Sequence, residues 1–223
     1  MAPKWFRDNV NRYDNYPRTG PKVFAGEYAA QSVGIARPDN KNNWECALSE
    51  AAFMTGLVRN SDVVRMSSYA PLFAHIDAWQ WTPDLIWFDN LRSFGTPNYY
   101  VQKLFSLNKG TTMLPVTQNG SAKNGNDDLY TTASLDKATG EAVLIVVNTS
   151  SSARPTQINF SGVQNIKPTA KSIVISSSDL KAENGFAEPM KIAPVEKLLK
   201  VTAPQISFTL SPNSVTVLRV GVR

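Results

Sequence analysis

Glu27 stands two residues beyond the apolar run Val23-Phe24-Ala25, inside the stretch Pro21-Lys22-Val23-Phe24-Ala25-Gly26-Glu27-Tyr28-Ala29-Ala30. The apolar run reads as a short buried strand with the carboxylate just past its end, and a polar loop and a long helical segment follow. Buried strand, acidic residue at the C-terminal tip, then helix is the order in which a parallel α/β barrel presents its catalytic groups. A charge at such a tip is expensive to bury unless a partner neutralises it or a reaction uses it. Spacing alone leaves two readings open. Glu27 is either a strand-end carboxylate paired with Lys22 or an arginine, or a nucleophile or general base flanked by Tyr28.

Most carboxylate chemistry needs a second acid. The next strand ends in Ser67-Ser68-Tyr69-Ala70-Pro71, and the loop after it carries Asp77, Trp79, Gln80, Trp81 and Asp84. Tryptophans beside carboxylates suit a sugar, whose C–H face is apolar and whose hydroxyls need polar partners. The competing reading is aromatic packing under a long loop. His75 reads as a loop histidine with a structural hydrogen bond. Glu45 and Glu50 fall at helical spacing and are expected to face solvent or a neighbouring helix, and Arg59, Asp62 and Arg65 to form surface or rim pairs. With one histidine and one cysteine, Cys46, a Cys/His zinc site cannot be assembled, and no cofactor is expected. Cys46 lies in an apolar helical run and reads as a small buried hydrophobe.

These groups need elements to hold them. Residues 4–15 read as the end of a helix, broken by Tyr16-Pro17-Arg18-Thr19-Gly20-Pro21. A strand is expected over 22–26 and an Asn-rich loop over 31–43. A helix follows over 43–60, with Gly56 and Asn60 as stop signals. A second buried strand covers 62–70, and residues 71–94 form a long aromatic loop. Thr96 and Pro97 supply the N-cap and first position of a helix over 96–107. After Gly110 the texture becomes β-rich, with strands expected at 112–117, 129–135, 142–148, 156–160, 172–176, 205–210 and 214–220. Asp136-Lys137-Ala138-Thr139-Gly140 reads as a hairpin connection. Strands at that spacing without helices predict an antiparallel β-sandwich over 109–223, preceded by an α/β part over 1–108. Helix, strand, helix, strand, helix is only about a quarter of a (β/α)8 barrel of ~250 residues, so the first part reads as the end of a larger barrel.

The 223 residues suffice for one large or two modest domains, and 42% hydrophobic with 18% charged residues is ordinary globular composition. The net charge of +5 is spread in singlets and doublets, without the basic stripe and interleaved aromatics of a nucleic-acid surface. No stretch approaches the ~20 apolar residues of a membrane span. The N-terminus, Met1-Ala2-Pro3-Lys4-Trp5-Phe6-Arg7, shows no apolar export core. Neither nucleic acid nor membrane is an expected partner.

The residues also resemble a known family. Arg12-Tyr13-Asp14 and the stretch from Pro21 to Ala29 look like the nucleophile strand of the α-L-arabinofuranosidases of glycoside hydrolase family 51. The likeness continues in order through Ala47–Gly56, Asn60–Val64, Tyr69–Phe73, Trp81–Ile86 and Gly95–Gln102. Ser214–Arg219 resembles the usual closing strand.

The resemblance implies a (β/α)8 barrel joined to a β-sandwich, removing terminal non-reducing α-L-arabinofuranosyl groups from plant polysaccharides with retention. Retaining chemistry uses two carboxylates ~5–5.5 Å apart, a nucleophile and an acid/base. By this likeness Glu27 is the nucleophile ending the seventh barrel strand, and Tyr28, Trp81 and Asp84 are substrate-binding candidates. The family's acid/base lies in an Asn-Glu-Pro type motif on the fourth strand, and the sequence contains no Asn-Glu-Pro. The chain therefore resembles a C-terminal piece that carries the nucleophile without the acid, and it is expected to be inactive alone. Its partners would be an arabinose-containing polysaccharide or oligosaccharide, the missing barrel portion of the same enzyme and, through exposed sheet edges, copies of itself. The full-length enzyme is expected outside the cytoplasm, in the medium or periplasm. A non-catalytic carbohydrate-binding or structural sandwich is the competing function.

Overall fold

The structure, a computed structural model, describes residues 1–35, 37–122, 125–202 and 205–222. It divides into two compact units, one made of Met1–Lys103 with Asp179–Ala193 and the other of Leu104–Ser178 with Pro194–Arg223. The expected division near residue 108 misses this arrangement in one respect. Residues 179–193 fall in the first unit although both of their flanks belong to the second. Local bonds explain it: Leu180 and Ala182 carbonyls accept from the amides of Glu45 and Trp44, and Asn184 Nδ2 donates to the Gly95 carbonyl.

In the first unit, helix α1 (Pro3–Asp8) leads to strand β1 (Val23–Tyr28), helix α2 (Trp44–Arg59) and strand β2 (Val64–Tyr69). The Asn43 side chain caps α2 by accepting from the Cys46 amide. Gly56 is no stop signal. A Cβ there would lie 1.9 Å from the Val10 carbonyl oxygen, so the glycine allows the chain after α1 to press against α2. Asn60 closes the helix, donating from Nδ2 to the Gly56 carbonyl and to Asp14. Two of the expected rim charges pair across the chain, Arg59 with Asp14 at 2.8 Å and Asp62 with Arg18 at 3.1 Å.

Strands β1 and β2 are parallel and form a two-stranded sheet joined through α2. The expectation that both are buried is wrong for their midsections. Phe24 and Met66 face each other across the pair, and each is about three-fifths exposed. The reason is cover: the described residues leave the face that carries Phe24 and Met66 open to solvent. The expected loop over 71–94 also contains regular structure. Strands β3 (Phe73–His75), β4 (Ile86–Phe88) and β5 (Ser93–Gly95) form a small mixed sheet in that order, and helix α3 (Pro97–Leu107) follows with Thr96 Oγ1 accepting from the Tyr99 amide.

The second unit is a β-sandwich. Strands β6 (Thr112–Leu114), β7 (Leu129–Asp136), β8 (Glu141–Asn148), β10 (Ile166–Ser176), β11 (Val195–Lys200) and β13 (Ser214–Val222) make an antiparallel sheet in the order β11-β10-β13-β8-β7-β6. Strands β9 (Arg154–Asn159) and β12 (Gln205–Leu210) pair as a second sheet. Leu144, Val146, Leu218 and Val220 from the large sheet meet Ile206 and Leu210 from the small one, which is the shared core that defines a sandwich. The hairpin joining β7 to β8 turns at Gly140, whose φ of +67° favours glycine. Strand β11 escapes the sequence reading because Val195-Glu196-Lys197-Leu198-Leu199-Lys200 lacks alternation and lies at an edge, with Val195 and Leu198 exposed.

Candidate active site

Glu27 is part of β1, not the residue after it. Ala25 pairs with Ser67 and Tyr28 with Tyr69, so three steps along β1 match two along β2. The extra residue is a bulge, a device that re-aims a side chain where a strand meets a site. Glu27 adopts φ +54°, a left-handed conformation that costs a side-chain-bearing residue free energy unless its surroundings enforce it. A Cβ on Gly26 beside it would approach the Phe24 ring to 3.2 Å, a tight contact that the exposed ring can relieve by a small shift.

The Glu27 side chain is exposed. Among the described residues, none reaches its carboxylate with a hydrogen bond or an ion pair. Lys22, the partner that a structural role would use, donates instead to the Arg18 carbonyl at 2.8 Å. An unpaired carboxylate on a bulged strand end is open to solvent and to any ligand that reaches it.

Tyr28 points the other way. Its hydroxyl donates to Gln102 Oε1 at 3.0 Å, and its ring packs against Phe6, Phe53 and Tyr69. Burial, seconded by the nearby Glu50 carboxyl, pushes its phenol well above the usual range. A hydroxyl so engaged is a fixed support rather than a free sugar contact.

Asp84 is only 2% exposed, and burial raises its carboxyl to about 6. Among the described residues, none makes a hydrogen bond to its Oδ2. Its neighbour Leu85 shares an apolar cluster with Ala29, Tyr69 and Tyr28, so the chain beside Glu27 and the chain beside Asp84 meet. Trp81 is exposed at 46% and lies outside that cluster. Trp79 and Trp87, with Asn40, Asn42, Glu183 and Asn184, line a cavity of about 300 Å³, and none of the four expected site residues contributes to its wall. His75 lies in β3 and accepts from the Asp77 amide through Nδ1. Among the described residues no three His, Cys, Asp or Glu side chains gather as a metal site would require, and no helix is long and apolar enough to cross a membrane.

Sequence reasoning missed Glu50. Placed on α2 and expected at solvent or a helix neighbour, it is fully buried. Its Oε1 accepts from the Ala30 amide at 2.7 Å, just beyond the Glu27 bulge. Asn98 and Gln102 turn their amides toward it without reaching Oε2 in hydrogen-bond geometry. Desolvation dominates, and its carboxyl is pushed up from 4.5 to about 8. The missed signal was the run Ala47–Leu57. A helix with almost no polar face is buried all round, and a lone glutamate in it is buried too.

The first unit thus sets a solvent-facing carboxylate on a parallel strand pair, and the second is a β-sandwich. Comparison with known proteins identifies the family. The sequence profile of the α-L-arabinofuranosidase C-terminal domain matches residues 26–214, and the chain belongs to that family. It is 35% identical over 206 residues to α-L-arabinofuranosidase 2 of Arabidopsis thaliana, covering 91% of this chain and 29% of the relative. An extracellular exo-α-L-arabinofuranosidase of Streptomyces chartreusis is 54% identical over 114 residues, 51% of this chain and 13% of its own length. A solved arabinose-bound family 51 α-L-arabinofuranosidase superposes with a TM-score of 0.89 at 30% identity, over 100% of this chain and 36% of its own. The family 51 enzyme of Thermotoga petrophila shares the fold at a TM-score of 0.70 and 18% identity, over 97% of this chain and 47% of its own. The chain thus spans less than half the length of each of these proteins.

Proposed function

We propose that the chain is the C-terminal part of a retaining α-L-arabinofuranosidase, with β1 and β2 as the last two strands of a (β/α)8 barrel and residues after α3 as the supporting sandwich. In this reading Glu27 is the nucleophile that attacks the anomeric carbon of a terminal α-L-arabinofuranosyl group. The acid/base comes from barrel strands outside this chain. The observation that carries the reading is the state of Glu27: unpaired, exposed, and held in a left-handed conformation on a bulged strand end. A structural carboxylate would be paired there. Asp84, kept closer to neutral by burial, and Trp81 stand on the following loop as candidate contacts to the substrate.

The chemistry divides accordingly. The nucleophile forms the glycosyl–enzyme ester, and the acid protonates the departing oxygen. Without the acid the leaving group departs as an alkoxide, and general acid assistance alone is worth ~10²–10⁴-fold. The 223-residue chain is therefore expected to leave an aryl α-L-arabinofuranoside at its background rate. When the upstream reading frame supplies an Asn-Glu-Pro segment and the remaining strands, the longer enzyme should turn over. Glu27→Gln should then remove ~10³-fold or more of its kcat. Robust turnover by the chain alone, or a longer enzyme indifferent to Glu27→Gln, refutes the assignment. An upstream frame without barrel strands would favour the non-catalytic carbohydrate-binding reading.

A further inference from the structure

The Glu27 conformation has to be enforced by something, because an isolated glutamate does not rest at φ +54°. On its N-terminal side Phe24 and Ala25 stay paired in register with Met66 and Ser67 of β2. On its C-terminal side two buried bonds fasten the chain. The Tyr28 hydroxyl is tied to Gln102 on α3, and the Ala30 amide to Glu50 on α2, with Ala30 wholly buried. Glu50 and Gln102 belong to one buried cluster with Asn98, and that cluster lies beneath the bulge.

We propose that Glu50 is a positioning residue for Glu27, and that Gln102 acts with it: together they clamp Tyr28 and Ala30, so that the bulge can direct the Glu27 carboxylate outward. The significance of the clamp rests on the reading of Glu27 as nucleophile, but its existence does not. A side chain of glutamate length that ends in an acceptor oxygen is needed because it must reach from the helix to the backbone of the strand end. An apolar side chain of equal size would fill the space and leave the Ala30 amide buried without an acceptor. The other titratable groups facing Glu50 are Tyr28 on β1, Cys46 on α2, Tyr69 on β2 and the Met1 amine. The three side-chain groups are acids that carry no positive charge in either state, whereas the Met1 amine is a cation whose charge works against the desolvation of Glu50.

The test is NMR on the 223-residue chain, reading hydrogen exchange at Ala30 and the HN–Hα coupling and Cα shift of Glu27. Ala52, in the middle of α2, serves as the reference amide. Glu50→Leu should speed Ala30 exchange relative to Ala52 by ~10-fold, the loss of about one net buried hydrogen bond, and shift the Glu27 signals. Glu50→Gln keeps an acceptor and should restore both to near wild type. Gln102→Leu should move the Glu27 signals while Ala30 stays protected, and it decides the matter if Glu50→Leu does not fold. Parallel acceleration of Ala30 and Ala52, or unmoved Glu27 signals in both leucine variants, overturns the proposal. Because no substrate is involved, a longer enzyme indifferent to Glu27→Gln would sink the catalytic reading and leave the clamp standing.

Discussion

The two units bury their side chains on different terms. In the sandwich, β8 and β13 are covered along nearly their whole length, and Val147, Val215, Val217 and Leu218 have no exposed surface. Its Arg219 spans Glu141 and Asp136 at 2.6 and 3.1 Å. In the first unit, Phe24, Met66 and Phe73 stand about three-fifths exposed. There Glu50, Asp84, Asn98 and Gln102 each hold a buried atom without a partner. The sandwich has some of both features, since Val195 and Leu198 on its edge strand are exposed and Thr132 Oγ1 has no partner among the described residues. Its central strands β8 and β13 are closed, however, whereas the β1–β2 pair of the first unit is open. The lesson is that the two units are finished to different degrees, and that the carboxylates singled out for chemistry lie in the less finished one.

The sharpest way to break that comparison is to cut the same kind of side chain in both places. Leu218→Ala should cost ~2–5 kcal/mol, read as lowered protection of β8 and β13 amides, because it leaves a cavity in a closed core. Phe24→Ser removes a larger apolar group and should change stability by no more than ~0.5 kcal/mol. Equal costs at the two positions would erase the distinction.

Glu50 gives the next effect. Its folded-state carboxyl, at about 8, lies above the 4.5 of an ordinary glutamate, so the folded chain keeps a proton that the unfolded chain releases. The stability this contributes is complete below pH 4.5 and declines as pH rises to about 8, after which the curve flattens. The span is on the order of a few kcal/mol. Denaturation followed by tryptophan fluorescence from pH 5 to 9 should show that slope in the wild type and a flatter one in Glu50→Gln. An identical slope in both would place the proton elsewhere. The smallest effect is colloidal. If the exposed β1–β2 face drives self-association, Phe24→Ser and Met66→Ser should together lower the apparent mass in light scattering and reduce binding of a hydrophobic dye. An unchanged wild-type monomer with weak dye binding would show that the open face is harmless.

Much of this was legible in the residues. The helical spacing over 43–60, Thr96-Pro97 as a helix start and the β-rich run over 129–135 are local signals, and the elements they announce are present. Glu27 could be singled out because its strand run and following helix are contiguous in sequence. What escaped depended on distant contacts. Glu50 is buried by β1, β2 and α3, none of which a helical wheel displays. The small sheet of β3, β4 and β5 uses three-residue strands, too short for any period to appear. The unpaired state of Glu27 could not be foreseen, since Lys22 lay within reach and the choice of the Arg18 carbonyl is set by the turn at Tyr16–Pro21.

Residues 179–193 have a further consequence, one for the gene rather than the fold. Because the chain leaves the sandwich after Ser178 and returns at Pro194, no single breakpoint separates the two units. A recombination event that exchanged everything after residue 103 would import a foreign version of the segment whose Leu180 and Ala182 carbonyls meet the start of α2. The two units are thus bound to be inherited together, and Asn184, whose side chain makes the bonds to the Gly95 and Ile192 carbonyls, is a residue that a foreign version of the segment would have to keep.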